Sequence, residues 1–405
     1  MVEASQKERA ATVRVVGAIA DIGRDAWDAV ANPGWPSDRP LEAGCEGGGV
    51  AYNPFLSFDF LDCLEQSGCV TKRTGWTPQH LVIEERGGPL AGAMPLYLKS
   101  HSMGEYVFDH GWADAYRRAG GHYYPKLQAS VPFTPATGRR LLTSEGPDAE
   151  ARRRALAKAA TDLAKRQQLS SVHVTFMPEE EWELCAALGY LQRIDQQFHF
   201  ENRGYRDFED FLDGLVSRKR KVLKRERREA LAGLSVELLT GSDLTEAAWD
   251  AFFDFYMDTG SRKWGRPYLN RQFFSMVSER MADRILLALA CSNGRPIAGA
   301  LNFIGSETLY GRYWGAVEHH PFLHFELCYY QAIDWAIAHG LKRVEAGAQG
   351  EHKVARGYAP TPTYSAHWIA DPNFRRAVAH YLDQERAQVL LDVEDLSELM
   401  PFRQS

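Results

Sequence analysis

Two stretches of this chain are near-copies of one another: GGPLAGAMPLY from Gly87 and GRPIAGALNFI from Gly294. Each follows an apolar run and a tight turn. HLVIEE from His80 turns at Arg86 to Pro89, and ILLALACS from Ile285 turns at Asn293 and Gly294, so both read as antiparallel hairpins. A repeated word set in a repeated order of elements restricts the fold to two related units.

The surrounding elements do recur in order. In the first half, TVRVVGAIADI from Thr12 has strand alternation, and the Gly-, Pro- and Trp-rich stretch up to Gly49 reads as irregular. Phe55, Phe58, Phe60, Leu61 and Leu64 are spaced for a helix that ends near Gly68. After the hairpin come an amphipathic helix from Pro147 (Leu156, Ala159, Ala160 and Leu163 on one face), the strand SVHVTF from Ser171, a helix opened by Pro178 and three glutamates, and a strand through Phe200. The second half supplies a strand from Leu234, helices over 244–257 and 272–281, the hairpin, the strand SETLYGRYWGA, a mostly apolar helix over 323–339 and a strand over 342–346. With 405 residues and about 150 residues per domain, two mixed α+β units are expected, at 1–205 and 206–405.

Charge is close to balanced, 47 Lys+Arg against 53 Asp+Glu, which argues against a surface devoted as a whole to nucleic acid or anionic lipid. The six cysteines lie apart with no CxxC, and neither a signal peptide nor an 18-residue apolar run is found. Reduced thiols and a cytoplasmic location are the expectation. One helix is the exception to the charge balance: RKRKVLKRERR from Arg218 carries Arg218, Lys219, Arg220, Lys221, Lys224, Arg225, Arg227 and Arg228. Such a helix suits RNA phosphates, with tRNA among the possible partners, and Glu226 and Glu229 make a plain solvated helix the competing reading.

Strand, two helices, hairpin, strand, helix, strand, helix, strand is the order of the GCN5-related N-acetyltransferase (GNAT) fold, and two copies resemble the Fem-type peptidyl and aminoacyl transferases. The runs GAMPLYLKSHSMGEYVFD from Gly92, YYPKLQASVPFTPATGRRLL from Tyr123, RKWGRPYL from Arg262, LYGRYWGA from Leu309 and HFELCYYQAIDWAIAHGLKRVEAGAQGEHKVARGYAP from His324 are similar to the FemAB-like family of N-acyltransferases, associated with peptidoglycan biosynthesis or recognition. That resemblance covers nearly everything from residue 50 onward. It implies a tandem acyltransferase-like fold, transfer of an acyl or aminoacyl group to an amine on a small molecule or peptide, and an acyl-CoA or aminoacyl-tRNA donor in place of a bound cofactor. The glycine-rich pyrophosphate loop of such folds is missing. VEHHPFLHFE from Val317 stands in its place.

Direct attack by an amine needs a base, an oxyanion site and a protonated leaving group, but no covalent nucleophile. The absence of GxSxG, HExxH, Walker A or zinc-type spacing therefore fits such a reaction, and no metal is expected. Glu345, at the end of a strand that empties into the loop EAGAQGEHKVARGY, is the candidate base. Backbone N–H groups near Trp314 to Ala316 are the candidate oxyanion donors, and Tyr358 or Tyr364 the proton donor. Lys353 and Arg356 are candidate anchors for a phosphate or carboxylate. Lys353 looks like the lysine of a Phe-Lys pair in the Fem-type enzymes, with His352 in place of the phenylalanine. Arg262, Lys263, Trp264, Arg266 and Tyr268 form a candidate lid, Tyr313 and Trp314 line the strand beside it, and His122, Tyr124 and Lys126 make a comparable cluster in the first half. A non-catalytic module that recognises a cell-wall precursor or phosphorylated ligand through the same cleft is the alternative.

Overall fold

The computed structural model describes residues 12–35, 49–85, 88–264, 267–347 and 350–403, without the side chains of 262–264. Both hairpins form. The second turns at Asn293 and Gly294, both in the left-handed region (φ 49° and 74°), as a two-residue hairpin turn demands. The first is cut short by Pro95, which has no N–H to give to a ladder: Leu90–Met94 stays with His80–Glu84, and Leu96–Lys99 moves to a different sheet. The result is a small sheet of four strands (12–16, 80–84, 90–94, 142–143) and one of eleven strands that runs through both halves.

The junction between the halves is made by exchange. Leu191–Glu201, the last strand of the first half, lies between Arg343–Glu345 and Ala359–Ile369, both from the second half. Ala359–Ile369, the last strand of the second half, lies between Leu191–Glu201 and the first-half strand Ser171–Met177. Each half thus closes its sheet with the other's final strand, and the boundary expected at 205/206 falls just after the first exchanged strand. A fragment of residues 1–205 should aggregate when expressed alone, because strand 191–201 would expose both edges, and should become soluble when 206–405 is co-expressed. A soluble, monomeric 1–205 fragment would contradict that.

Most expected elements are present, the basic helix (Ser217–Ala230) and the helices over 246–264 and 271–281 among them. The stretch read as irregular holds a helix, Arg24–Ala31, which buries Trp27, Val30 and Ala31. Its eight residues are interrupted by Asp25 and Asp28, too short a run for the apolar spacing to register. The helix over 323–339 is not uniform: Glu326–Tyr330 is π-helical and Gln331–Ala338 is α-helical. Alternation along the strands gives the middle of the eleven-stranded sheet one apolar face, with Val172, Val174, Phe198, Phe200, Val344 and Ala366 in its cores. The opposite face carries buried polar groups, including His173, Thr175, Gln197, His199 and Glu345.

Candidate active site

Glu345 lies where two parallel strands part. Thr308–Ala316 pairs with Arg343–Glu345 only as far as Tyr310↔Glu345, then runs on to Ala316 with no strand on that side. Beyond Tyr310 no described strand pairs with this edge, and at its far end the Ala316 N–H donates to Thr259 Oγ1 of the helix Glu246–Trp264 (3.4 Å). On its other side Glu345 faces His199. The carboxyl is 5% exposed and its Oε2 has no hydrogen-bond partner among the described residues. Burial pushes its pKa up to about 7, against the pull of Arg343, the Thr137 N–H and Arg312. A buried carboxyl with one unpartnered oxygen and a raised pKa is an unfavourable thing to leave in a core and a useful one in a site.

The roof over Glu345 comes from the first half. Residues 130–140 cross the polar face, held by main-chain bonds: Gln197 Nε2 donates to Pro135 O (2.7 Å), Asn53 Nδ2 to Thr137 O (3.1 Å), and Arg312 Nη2 and Tyr313 Oη to Phe133 O (2.7 and 2.9 Å). Arg140, fully buried, gathers the end of the segment by donating to Ala136 O, Gly138 O, Arg139 O and Thr175 O. Phe133 takes a left-handed φ of 58° and stacks on Tyr268 at 4.9 Å. The two halves thus meet around Tyr106, Phe133, Tyr268, Arg312 and Tyr313, which mark the candidate cleft.

Several expected site residues are used elsewhere. Arg356 is buried, forks onto Glu226 at 2.9 Å, donates to Tyr330 Oη and lies over the Phe325 ring at 3.6 Å, so it locks the basic helix to the core and is not free to hold substrate. Tyr358 is buried in the same core and gives its proton to Tyr329 O. Tyr364 pairs with Ile194 whereas Glu345 pairs with His199, an odd offset that puts Tyr364 on the opposite face, against Trp182. Neither tyrosine can protonate a leaving group beside Glu345. Lys126 is wholly buried in a charge network with Glu105 (2.7 Å) and Asp109 (2.5 Å), and Tyr124 donates to Ser102, so these two brace the loop 100–109 instead of meeting substrate. His122 is exposed.

Others remain near the cleft. Lys353 is buried and donates to Ala346 O (2.7 Å) and Gly347 O (2.9 Å), which shapes the loop after Glu345; burial lowers its pKa to about 8. His352 is exposed and bonds Tyr329 Oη at 3.0 Å, and Trp314 meets His324 edge-on at 5.2 Å. Arg262, Lys263 and Trp264 belong to the last turn of the helix Glu246–Trp264, but their side chains, like the whole of Arg266, lie outside the described residues. Sequence reading missed Arg312, His199, Tyr106 and the 130–140 roof. Only the aromatic run around Arg312 hinted at them.

The basic helix is less free than its composition suggests. Arg220 pairs with Asp213, Lys224 with Glu209, Arg225 with Glu229, and Arg227 with Glu326 and Asp334. Arg218, Lys219, Lys221 and Arg228 have no ion pair among the described residues. Changing Arg218, Lys219 and Lys221 together to Gln should alter stability by no more than about 0.5 kcal/mol, as read from urea unfolding. A larger loss would mean that they hold the fold together. No group of residues suited to a metal occurs among the described residues, and no helix there is long and apolar enough to cross a membrane.

A family model described as peptidoglycan biosynthesis/recognition matches residues 18–404. The chain belongs to the FemAB-like family. Solved structures similar to this FemAB-like chain include FemX, at 12% identity and a TM-score of 0.48, covering 78% of this chain and 93% of that one. A tandem GNAT protein from the clavulanic acid biosynthesis pathway matches at 14% identity and a TM-score of 0.46, covering 90% and 99%. A conserved protein of unknown function from Bacteroides thetaiotaomicron VPI-5482 matches at 12% and 0.48, covering 89% and 100%. No curated protein matches.

Proposed function

We propose that this FemAB-like chain is an N-acyltransferase that moves an acyl or aminoacyl group from a carrier to an amine, with the chemistry at the fork between Thr308–Ala316 and Arg343–Glu345. The observation that carries the reading is Glu345: a buried carboxyl with a free oxygen, poised near neutrality, beside a strand edge that no other strand occupies. The amine nitrogen attacks the acyl carbonyl and the C–N bond forms as the bond to the carrier breaks. Glu345 takes the amine proton, directly or through one water, and that proton ends on the departing thiolate or alkoxide. The main chain near Trp314, on the side of the strand away from its antiparallel partner, is the candidate oxyanion donor.

The donor is a thioester such as acyl-CoA or an aminoacyl-tRNA. Without the glycine loop, the carrier has to be held by side chains at the start of the 323–338 helix, where Phe322 occupies the left-handed region (φ 61°) that a glycine would favour. Purified protein incubated with labelled acyl-CoA and aminoacyl-tRNA donors and a panel of amines tests this by mass spectrometry. A new amide that depends on Glu345 supports it. No amide from any donor, with ligand binding intact, would leave only recognition.

A further inference from the structure

We infer that Arg312, framed by Tyr106, Tyr313 and Tyr268, is a binding site for an oxygen anion, a carboxylate or phosphate monoester, on the molecule that enters the cleft. That this molecule is the amine acceptor rests on the acyl-transfer reading; the anion site itself does not.

The geometry begins with a bulge. Along the antiparallel pair, Leu301 faces Tyr313 and Asn302 faces Gly311, so Arg312 is the extra residue, with no partner across the ladder. Such a bulge redirects one side chain and leaves its neighbours in register. Here Tyr310 and Tyr313 stay on the same face of the strand, both against the apolar cluster that holds Phe55, Phe60, Tyr256 and Phe303, and Arg312 reaches Phe133 O in the roof.

Its surroundings are unusual for a structural arginine. The guanidinium donates to Phe133 O, and it lies 5.8 and 5.1 Å from the centres of the Tyr106 and Tyr313 rings. Its Nε is buried without a partner, and no carboxylate lies within ion-pair distance among the described residues. Three other enclosed arginines are paired or tied to several carbonyls: Arg356 has Glu226, Arg193 has Glu385, and Arg140 has four carbonyl oxygens. The half-buried guanidinium has no direct ion pair among the described residues and acts on Glu345 only at longer range, so an incoming carboxylate or phosphate would supply a direct partner.

Access and preorganisation both fit. Arg312, Tyr106 and Tyr313 are half-buried, and Tyr268 is 37% exposed while stacked on Phe133. Tyr106 and Phe133, which flank the guanidinium, both hold left-handed φ values (59° and 58°). Bulky residues adopt these only under constraint, and such constraint gathers at functional sites. The aromatic walls lower the local dielectric around the charge and suit the flat or apolar part of a ligand whose acid end meets Arg312.

The test uses whole protein and three small probes: glycylglycine, glycylglycinamide and inorganic phosphate, titrated by calorimetry and by thermal shift. Glycylglycine is expected to bind at least tenfold more tightly than its amide, and Arg312→Gln to weaken it at least tenfold. Arg312→Lys, which keeps the charge but loses the fork, should fall between them. Because R312Q also removes the bond to Phe133 O, Tyr268→Ala serves as a second variant that opens one wall and leaves that bond; it should weaken glycylglycine while leaving the melting temperature of the free protein close to wild type. Preferential binding of phosphate would assign the site to a phosphate monoester. Equal binding of glycylglycine and its amide, unchanged binding in both variants, or no binding of either anion up to about 50 mM would overturn the inference. Failure of acyl transfer would appear separately, as absence of product with these affinities intact.

Discussion

Replacing Glu345 by Gln should abolish most transfer while making the protein more stable at pH 8. Loss of a general base lowers rate by about 10²- to 10⁴-fold. The stability gain follows from the direction of the pKa shift. The carboxyl is raised from 4.5 to about 7 by burial, so the folded state holds its proton at pH values where the unfolded chain has released it. Stability tied to that proton is fully present below pH 4.5 and is lost as pH rises through 7. Above that, the wild type carries a buried charge that costs about 3 kcal/mol, and Gln, which mimics the protonated acid, removes the cost. Urea unfolding at pH 8 and pH 4.5 should show a stabilised variant at the first pH and near-equal proteins at the second. A variant less stable than wild type at pH 8 would place a charge-dependent structural bond at Glu345 instead.

Arg140 should be the residue whose loss damages the shared cleft most. Its guanidinium ties four carbonyl oxygens at 2.7 to 3.2 Å and is wholly inside the protein. Meanwhile Glu181 accepts from the Arg140 and Leu141 N–H groups, fixing the backbone from the other side. Arg140→Met keeps most of the volume and removes every donor. Each buried carbonyl left unsatisfied costs about 1 to 3 kcal/mol, so a loss of about 4 kcal/mol or more is expected, with the 130–140 roof made accessible to protease. The restored water access would also bring Glu345 back toward an ordinary carboxylate pKa. A variant within about 1 kcal/mol of wild type, as resistant to protease, would mean that the roof is held by its prolines and by packing alone.

The duplicated word GxPxAGA was enough to place both hairpins and the order around them, because a two-residue turn and an alternating pattern are local properties. Exchange of strands 191–201 and 359–369 was not visible, since nothing within either strand names its neighbour. Glu345 could be found from sequence because it ends a short strand and precedes Gly347. Arg356, Tyr358 and Lys126 misled for one reason: a basic or aromatic residue in a polar run looks available until the fold brings Glu226, the Tyr329 carbonyl, Glu105 and Asp109 to it. Arg312 was passed over for the opposite reason. Its meaning lies in a bulge that removes its cross-strand partner and in a carboxylate that never arrives.

The central claim is that Glu345 accepts the amine proton, and the pH dependence of single-turnover acyl transfer tests it most directly. With the donor and amine found active in the panel, the rate should rise about tenfold per pH unit below 7 and level off above it, the base working only when ionised, and E345Q should lose that rise along with the rate. A profile flat from pH 5.5 to 8.5, or an E345Q enzyme with the wild-type profile, would contradict it.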